Sequence, residues 1–300
     1  MKKIGSYANG NYTVHMFDDG TKIRYNKEDH FDAAFPESCD IKICNRCEKQ
    51  CPQCHEQSTP DGALANLKHP LLDSFKPYTE LAIGGGNPLS HPDLISFLQR
   101  MKEQKVICNM TVNITHFISN YDKLLQMSKD GLIHGLGVSV GNSLEEKYVD
   151  MIANFPNSVI HVIAGIVSYD NLKCFFNKNI KLLILGYKQF GRGKDYYKSY
   201  SKIIDKNIEE LENIMPKMID KFAVISFDNL AISQLHVKDH LDDEKWNTCY
   251  MGDDGEFTMY VDLVKEEYAI SSVSPRKKLF SNNIEAIFKD VKLQRKNKKQ

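Results

Sequence analysis

From residue 40 to residue 227, short runs of β-branched and apolar residues alternate with stretches of helical periodicity. Strands separated by helices are typical of βα units that build a mostly parallel sheet, so the alternation predicts an α/β fold. Many runs are apolar on both faces, which is expected when helices cover a barrel and side chains fill it, although an open doubly wound sheet gives a similar pattern. We count about seven strands: Asp40–Cys44, Glu80–Ile83, Lys105–Val112, Leu132–Val140, Ser158–Ile166, Ile180–Leu185 and Phe222–Phe227.

Both ends of the chain depart from this alternation. Tyr12–Phe17 and Lys22–Tyr25 flank the turn residues 18–20, which predicts a β-hairpin. Glu256–Val261 and Tyr268–Ser271 predict an antiparallel pair, and the ten last residues, five of them basic, predict a frayed, solvated tail. We therefore expect a lead-in over residues 1–35, a core over 36–227 and an extension over 228–300.

Two helices are predicted from apolar stripes. One follows the cap sequence Ser90–Asp93 and the other should end or kink at Pro216. We expect both stripes to lie in the core; they comprise Leu94, Phe97, Leu98 and Met101 in the first helix, and Ile204, Ile208, Leu211, Met215 and Ile219 in the second.

Charge and hydropathy limit the classes of partner. Lys+Arg and Asp+Glu both total 39, so the formal net charge is zero and gives no strong nucleic-acid signal. The N-terminus lacks the apolar segment of a secretory signal, and no apolar run approaches the ~18 residues of a membrane span. We expect a cytoplasmic protein without membrane contact, in which free thiols or metal ligands are favoured over disulfides.

Five of the eight cysteines lie between residues 39 and 54. Four interpretations of this cluster are open. Two Cys-x2-Cys knuckles would hold zinc, but only three residues separate them, against ~15–20 in zinc ribbons. A plant-type ferredoxin spacing of Cys39, Cys44 and Cys47 needs a distant fourth ligand. Unligated thiols are the remaining alternative to the three-cysteine site described next.

The spacing of Cys47, Cys51 and Cys54 fits a loop directly after the first core strand. Cys39 and Cys44 are then small apolar residues on that strand. Three thiolates on a four-iron cluster leave one iron without a protein ligand, and an open position is typical of a reactive metal site. We favour this interpretation.

The segment from Ile41 to Cys54, with its Cys-x3-Cys-x2-Cys spacing, resembles the first strand and cluster loop of the radical S-adenosylmethionine (SAM) enzymes. Gln53 stands where the family commonly has an aromatic residue near the adenine. The resemblance covers about residues 36–227 and implies a partial (β/α)6 TIM-like barrel, with an N-terminal β-hairpin and a small C-terminal β extension added here.

The turn Gly84-Gly85-Gly86-Asn87-Pro88 resembles the Gly-Gly-Glu-Pro turn that binds the methionine ammonium in this family. Glycines at a strand end let a ligand approach the backbone closely. By this resemblance, Gly85, Gly86, Asn87 and Pro88 contact SAM. Asn87 replaces a carboxylate, which should weaken binding only several-fold, because charged and neutral acceptors differ by about 1 kcal/mol.

Weaker similarities continue in register. Asn113 and Ser139 end the third and fourth core strands, where polar residues of the family meet the cofactor and where βα barrels bind ligands. The loop after the sixth strand resembles one that covers substrate, with Arg192 as a contact. The histidines nearest these loops, His55, His91 and His116, are expected to be surface or packing residues.

The resemblance implies an enzyme with a [4Fe-4S] cluster on Cys47, Cys51 and Cys54. The enzyme would cleave SAM reductively to a 5′-deoxyadenosyl radical, which abstracts hydrogen from a peptide, nucleoside or small metabolite. A reductant such as flavodoxin or ferredoxin is expected as partner, and no catalytic residue is assigned. Cys249 alone cannot hold a second cluster. The departures at Gln53 and Asn87 leave an alternative, an iron–sulfur binding or electron-transfer protein without SAM cleavage.

Overall fold

A computed structural model describes residues 2–18, 20–28 and 30–298. The strands are β1 (Lys3–Asn9), β2 (Tyr12–Phe17), β3 (Lys22–Tyr25), β4 (Ser38–Cys44), β5 (Glu80–Gly85), β6 (Ile107–Asn113), β7 (Gly135–Ser139), β8 (Ser158–Ile163), β9 (Lys181–Leu185), β10 (Val224–Phe227), β11 (Thr258–Asp262), β12 (Glu267–Ala269) and β13 (Lys277–Lys278). The α-helices are α1 (Leu94–Glu103), α2 (Ile114–Ser119), α3 (Tyr121–Lys129), α4 (Glu146–Ala153), α5 (Tyr169–Leu172), α6 (Arg192–Met218), α7 (Asn229–Gln234), α8 (Asp243–Cys249) and α9 (Ile284–Lys298).

Ten strands form one large sheet in the order β10-β9-β8-β7-β6-β5-β4-β11-β12-β13. Strands β4 to β10 are parallel and stand in chain order, each next to its successor, as a series of βα units requires. The predicted α/β class and all seven core strands are confirmed. The sheet is not a closed barrel, because no pairing joins β10 to β13 within the described ranges.

The two faces of the parallel strands differ. Ile41 and Ile43 of β4, like Leu81 and Ile83 of β5, are buried beneath the helices, whereas the residues between them are more polar or more exposed. The same alternation runs through β6, β8 and β9. The expectation that side chains fill the inside is therefore not met, and the inner face lines a cavity.

The N-terminal residues form a separate antiparallel sheet, β1-β2-β3. Its second hairpin, β2–β3, has the predicted bounds, while Asp19 of the predicted turn lies outside the described residues. Strand β1 was not predicted, because Lys3–Asn9 contains few β-formers and carries Gly5 at its centre. A Cβ at Gly5 would lie 2.5 Å from the Tyr78 ring, so a larger residue would require that ring to shift.

The C-terminal antiparallel pair is confirmed as β11–β12. Strand β11 also pairs in parallel with β4, so it extends the large sheet at the strand that precedes the cysteine loop, residues 45–63. The frayed tail was wrong for residues 291–298, which belong to α9. Ile284, Ile287, Phe288 and Val291 of that helix are fully buried, and most of this stripe precedes the ten residues on which the expectation was based.

The predicted helical stripes are mostly confirmed. The four apolar residues of α1 are all buried. Helix α6 buries Ile204, Leu211 and Met215 and ends at Met218, two residues after Pro216. Ile219 was wrong as a core residue: it follows the end of the helix and is 54% exposed. No helix within residues 2–18, 20–28 and 30–298 is both long and apolar enough to cross a membrane.

Non-strand segments bridge the gap between the two ends of the parallel sheet. The side-chain amide of Asn229, at the end of β10, donates to Asp254 Oδ1 at 2.8 Å, just before β11. Lys188 Nζ, after β9, donates to Ser272 Oγ at 2.9 Å, just after β12. The C-terminal segments thus form a wall of the inner face.

Candidate functional site

A central cavity of about 420 Å³ lies on the inner face of the parallel sheet. Its walls come from the carboxyl-terminal halves of β4 to β9, the cysteine loop, Lys188 and Arg192 after β9, and Tyr260 and Ser272 of the C-terminal segments. Ligands bind at this end of parallel strands because the loops that follow them converge there.

The cysteines divide into two groups. Cys47, Cys51 and Cys54 are half-buried and all line the central cavity. Cys39 and Cys44 are fully buried on β4 and do not line it, as expected for small apolar residues. All eight cysteines are free. The arrangement therefore brings together the three predicted ligands and leaves out the two that a ferredoxin spacing requires.

Backbone hydrogen bonds give the cysteine loop a defined shape. Cys47 N donates to Thr59 O at 2.8 Å, and Thr59 N donates back to Asn45 O at 3.1 Å. Cys54 N donates to Cys51 O at 3.2 Å, which closes a turn between two of the thiols. The loop is thus fixed at its base and at its tip without a disulfide.

Arg192 binds this loop from the other side of the cavity. Its Nε and Nη1 donate to Cys51 O and Ser58 O, each at 3.0 Å, and its backbone N–H donates to Cys54 O at 3.2 Å. Its Nη2 is buried and has no hydrogen-bond partner in the described part of the chain. The resemblance placed Arg192 over the substrate, and the observed contacts are to the loop.

The glycines after β5 have three different environments. A Cβ on Gly86 would lie 2.2 Å from Arg46 O, and one on Gly85, where φ is +111°, would lie 2.3 Å from Cys44 O. A Cβ on Gly84 would meet no heavy atom of the described residues within 4 Å. Gly85 and Gly86 are thus required because backbone oxygens of Cys44 and Arg46 lie against them. At Gly84 there is open space that a ligand could occupy.

Asn87 and Pro88 lie behind the cavity wall and do not line it. Asn87 Oδ1 accepts from Leu89 N at 3.2 Å and caps a short 3-10 turn in which Pro88 is the first residue. The backbone N–H of Glu48 and then His116 hold the pKa of the Glu48 carboxylate below its usual range, and a hydrogen bond from the side chain of Asn87 adds to this effect.

Asn113 and Ser139 both line the cavity, as do all three glycines of the turn. Asn113 also caps α2, with Oδ1 accepting from Thr115 N at 3.0 Å. Of the three histidines singled out, His91 is buried and bonds Ala65 O at 2.9 Å, which is a packing role. His116 pairs with Glu48 at 2.7 Å, and His55 lies 3.4 Å from Glu56.

Asp40 and His161 are among the cavity residues that the sequence analysis missed. Burial raises the pKa of Asp40 to about 6, with Lys188 opposing the shift and Asp254 and Asp228 adding to it. Burial lowers the pKa of His161 to about 4, so its ring is neutral at pH 7. Both are polar residues at alternate positions of otherwise apolar strands, and this period of two could have placed them on the inner face.

A buried charge network joins the cysteine loop to both neighbouring strands. Lys42 Nζ on β4 lies 2.5 Å from Glu56 Oε2 in the loop and 3.5 Å from Asp262 Oδ2 on β11. Arg276 Nη1 lies 2.7 Å from Asp262 Oδ2, and Tyr260 Oη donates to Glu56 Oε1 at 3.2 Å. Each buried charge therefore has an opposite partner, which burial demands.

No family profile and no curated protein matches the chain. Among solved structures, Streptococcus suis SuiB bound to its precursor peptide SuiA superposes with a TM-score of 0.57 at 12% identity, over 86% of this chain and 65% of that one. SuiB bound to S-adenosylmethionine gives 0.52 at 13% identity, over 79% and 60%. The chain therefore shares its fold with SuiB.

The chain spans about two thirds or less of the length of the SuiB chains. Parts of SuiB have no counterpart here.

The residues present fit the cluster that the sequence resemblance implies. Burial raises the pKa of the Cys47 thiol; the backbone N–H of Lys49 lowers it, and Glu48, Cys51 and Cys54 raise it further. A thiol that resists ionisation, with two other thiols beside it, is suited to a metal cation, which stabilises thiolates. A different group, Cys47, Glu48 and His116, has ligand atoms within 4.8 Å of one another, but its histidine and carboxylate already pair.

Proposed function

We propose that the protein is a radical SAM enzyme whose [4Fe-4S] cluster is held by Cys47, Cys51 and Cys54. The observation that carries the proposal is that these three thiols, the open face of Gly84 and the polar ends of β6 and β7 line one cavity. A fold shared with SuiB, which has been seen with S-adenosylmethionine, adds support.

Each group in the cavity has a proposed task. The three thiolates hold iron and leave one coordination position open. The backbone at Gly84, Gly85 and Gly86 borders the methionine end of SAM, and Asn113 and Ser139 offer polar atoms to the rest of it. Asn87 and Pro88 lie behind the cavity wall and fix the conformation of the glycine turn. When bound, cluster and SAM supply a 5′-deoxyadenosyl radical, and the walls keep water from it.

We propose that the core over residues 36–227 is a partial (β/α)6 barrel, with a lead-in over 1–35 and an extension over 228–300.

The substrate we propose is a peptide, because the solved structure of SuiB with its precursor peptide supports this class over a nucleoside or small metabolite. A flavodoxin or ferredoxin is the proposed reductant, and the cytoplasm, where eight free cysteines persist, the proposed location.

Anaerobic reconstitution with iron and sulfide, followed by SAM and dithionite, tests the proposal. The wild-type chain should bind about four iron atoms and release 5′-deoxyadenosine. Cys51→Ala should abolish the release because it removes one of three ligands. Cys249→Ala is the matched control: this thiol is exposed on α8, away from the cavity, and its loss should leave the yield unchanged.

Two results would overturn the assignment. A chain that assembles its cluster yet releases no 5′-deoxyadenosine is the iron–sulfur binding or electron-transfer protein of the alternative. A chain that is purified without oxygen and holds zinc at these thiols is neither a radical SAM enzyme nor an iron–sulfur protein. Deuterium appearing in 5′-deoxyadenosine from a labelled peptide would identify the substrate class.

A further inference from the structure

Arg192 lies 138 residues after Cys54 in the sequence, yet it makes three hydrogen bonds to the cysteine loop. Two of the accepting carbonyls belong to Cys51 and Cys54, and the third belongs to Ser58. The guanidinium fork has a fixed geometry, so contacts to Cys51 O and Ser58 O fix the two sides of the loop tip relative to each other.

The backbone around Arg192 is shaped to reach the loop. Gly191 has φ +53°, and a Cβ there would lie 2.5 Å from His55 O. At Gly193 a Cβ would lie 2.4 Å from Lys188 O and 3.2 Å from Gln53 O. Only glycine permits this close approach on both sides of the arginine, so the start of α6 is built against the loop.

One nitrogen of the guanidinium has no hydrogen-bond partner in the described residues. Nη2 is buried and has no partner in the described part of the chain, although Arg192 lines the central cavity with Cys51 and Cys54. A buried charge without a full set of partners is costly, so the guanidinium is suited to have an anionic group in the adjoining cavity. Three thiolates with their iron and sulfide form such a group, and a nearby cation raises its reduction potential.

We infer that Arg192 is a positioning residue: it holds the cysteine loop in its observed conformation without any metal, and its charge raises the reduction potential of the cluster. The second part rests on the proposed function, and the first does not. The geometry assigns both to Arg192 alone among the cations at the start of α6. Lys194, two residues later, is exposed and makes no side-chain contact with the loop in the described residues.

The first test uses the iron-free chain. Hydrogen exchange at the amides of Cys47, Cys54 and Thr59 should become about tenfold faster in Arg192→Gln, on the order expected when a charge-assisted hydrogen bond is lost. Lys194→Gln removes the same charge from the same helical turn and should leave these rates unchanged. Equal exchange in Arg192→Gln and wild type would overturn the positioning role whether or not the protein binds iron.

The second test uses the reconstituted protein and a potentiometric titration followed by electron paramagnetic resonance. Arg192→Gln should make the reduction potential of the cluster more negative. Arg192→Lys keeps the positive charge but lacks the guanidinium geometry. It should therefore restore the wild-type potential but not the slow hydrogen exchange of the loop amides. A wild-type chain that binds iron and a glutamine variant with the same potential would refute the charge effect. A wild-type chain without iron would refute it together with the proposed function, while the exchange result would stand.

Discussion

Gly86 lies where the turn after β5 approaches the end of β4 and the start of the cysteine loop. Its N–H donates to Cys44 O at 2.9 Å, and Asn87 N donates to Arg46 O at 2.7 Å. The glycine turn is therefore part of the support of the cysteine loop as well as a wall of the cavity.

Replacing neighbouring glycines should separate these two roles. Gly86→Ala places a Cβ against a backbone oxygen and should destabilise the chain by roughly 2–3 kcal/mol and reduce iron binding. Gly84→Ala is the matched control for folding: stability should stay within about 1 kcal/mol and iron content should not change. Its methyl group would still enter the cavity, so 5′-deoxyadenosine should fall. Urea titration, iron analysis and product assay measure the three effects; equal stability of both variants would contradict the distinction.

Asp40 should make the stability depend on pH. Burial raises its folded pKa to about 6, above the unfolded value, so its contribution is most favourable in acid and is lost as the pH rises through 6. Asp40→Asn stays neutral and should be more stable than wild type by about 1 kcal/mol at pH 8, a figure reduced because the carboxyl group is reached by cavity water.

Urea unfolding from pH 4 to pH 8 checks this expectation. The difference between Asp40→Asn and wild type should shrink towards pH 4, where the wild-type carboxyl is protonated in the folded chain. A difference that stays constant over the range would exclude titration of Asp40 as its cause.

At the scale of elements, α9 shows how a local feature can mislead. The ten last residues contain five basic side chains, yet the helix that includes most of them begins at Ile284 and buries Ile284, Ile287, Phe288 and Val291. Helix periodicity needs a window of two or more turns, and a window that starts at residue 291 excludes most of the apolar face.

Phe288→Ala should therefore cost about 3–5 kcal/mol, as expected for a large aromatic residue in a core. Leu293→Ala in the same helix is the matched control, because that side chain is 52% exposed, and should change stability by less than about 0.5 kcal/mol. The free energy of unfolding in urea compares them. Equal losses would mean that α9 does not pack as described.

For the molecule as a whole, the sequence was informative wherever a pattern is local. Runs such as Glu80–Ile83 have a strand's length and composition, and the spacing of Cys47, Cys51 and Cys54 lies within one loop. Contacts between distant segments have no such signal. The pairing of β11 with β4 and the reach of Arg192 to the cysteine loop depend on how the sheet curves, which no window of sequence contains.

The residues of the inner face could be predicted only in part from the sequence, for a related reason. Alternation in Asp40-Ile41-Lys42-Ile43 indicates two different faces, but it does not tell whether the polar face meets water, another charge or a ligand. The structure gives the answer residue by residue: Lys42 pairs with Glu56 and Asp262, while Asp40 faces the cavity.

The charge network has a consequence for the order in which the protein is made. The ribosome delivers Cys47, Cys51, Cys54 and Glu56 more than two hundred residues before Asp262 and Arg276, which complete the surroundings of Lys42 and Glu56. The nascent chain thus presents three exposed thiols on an unfinished support. If the proposed cluster is present, its insertion should follow release of the polypeptide, and until then the three thiols should depend on a reducing environment for protection from oxidation.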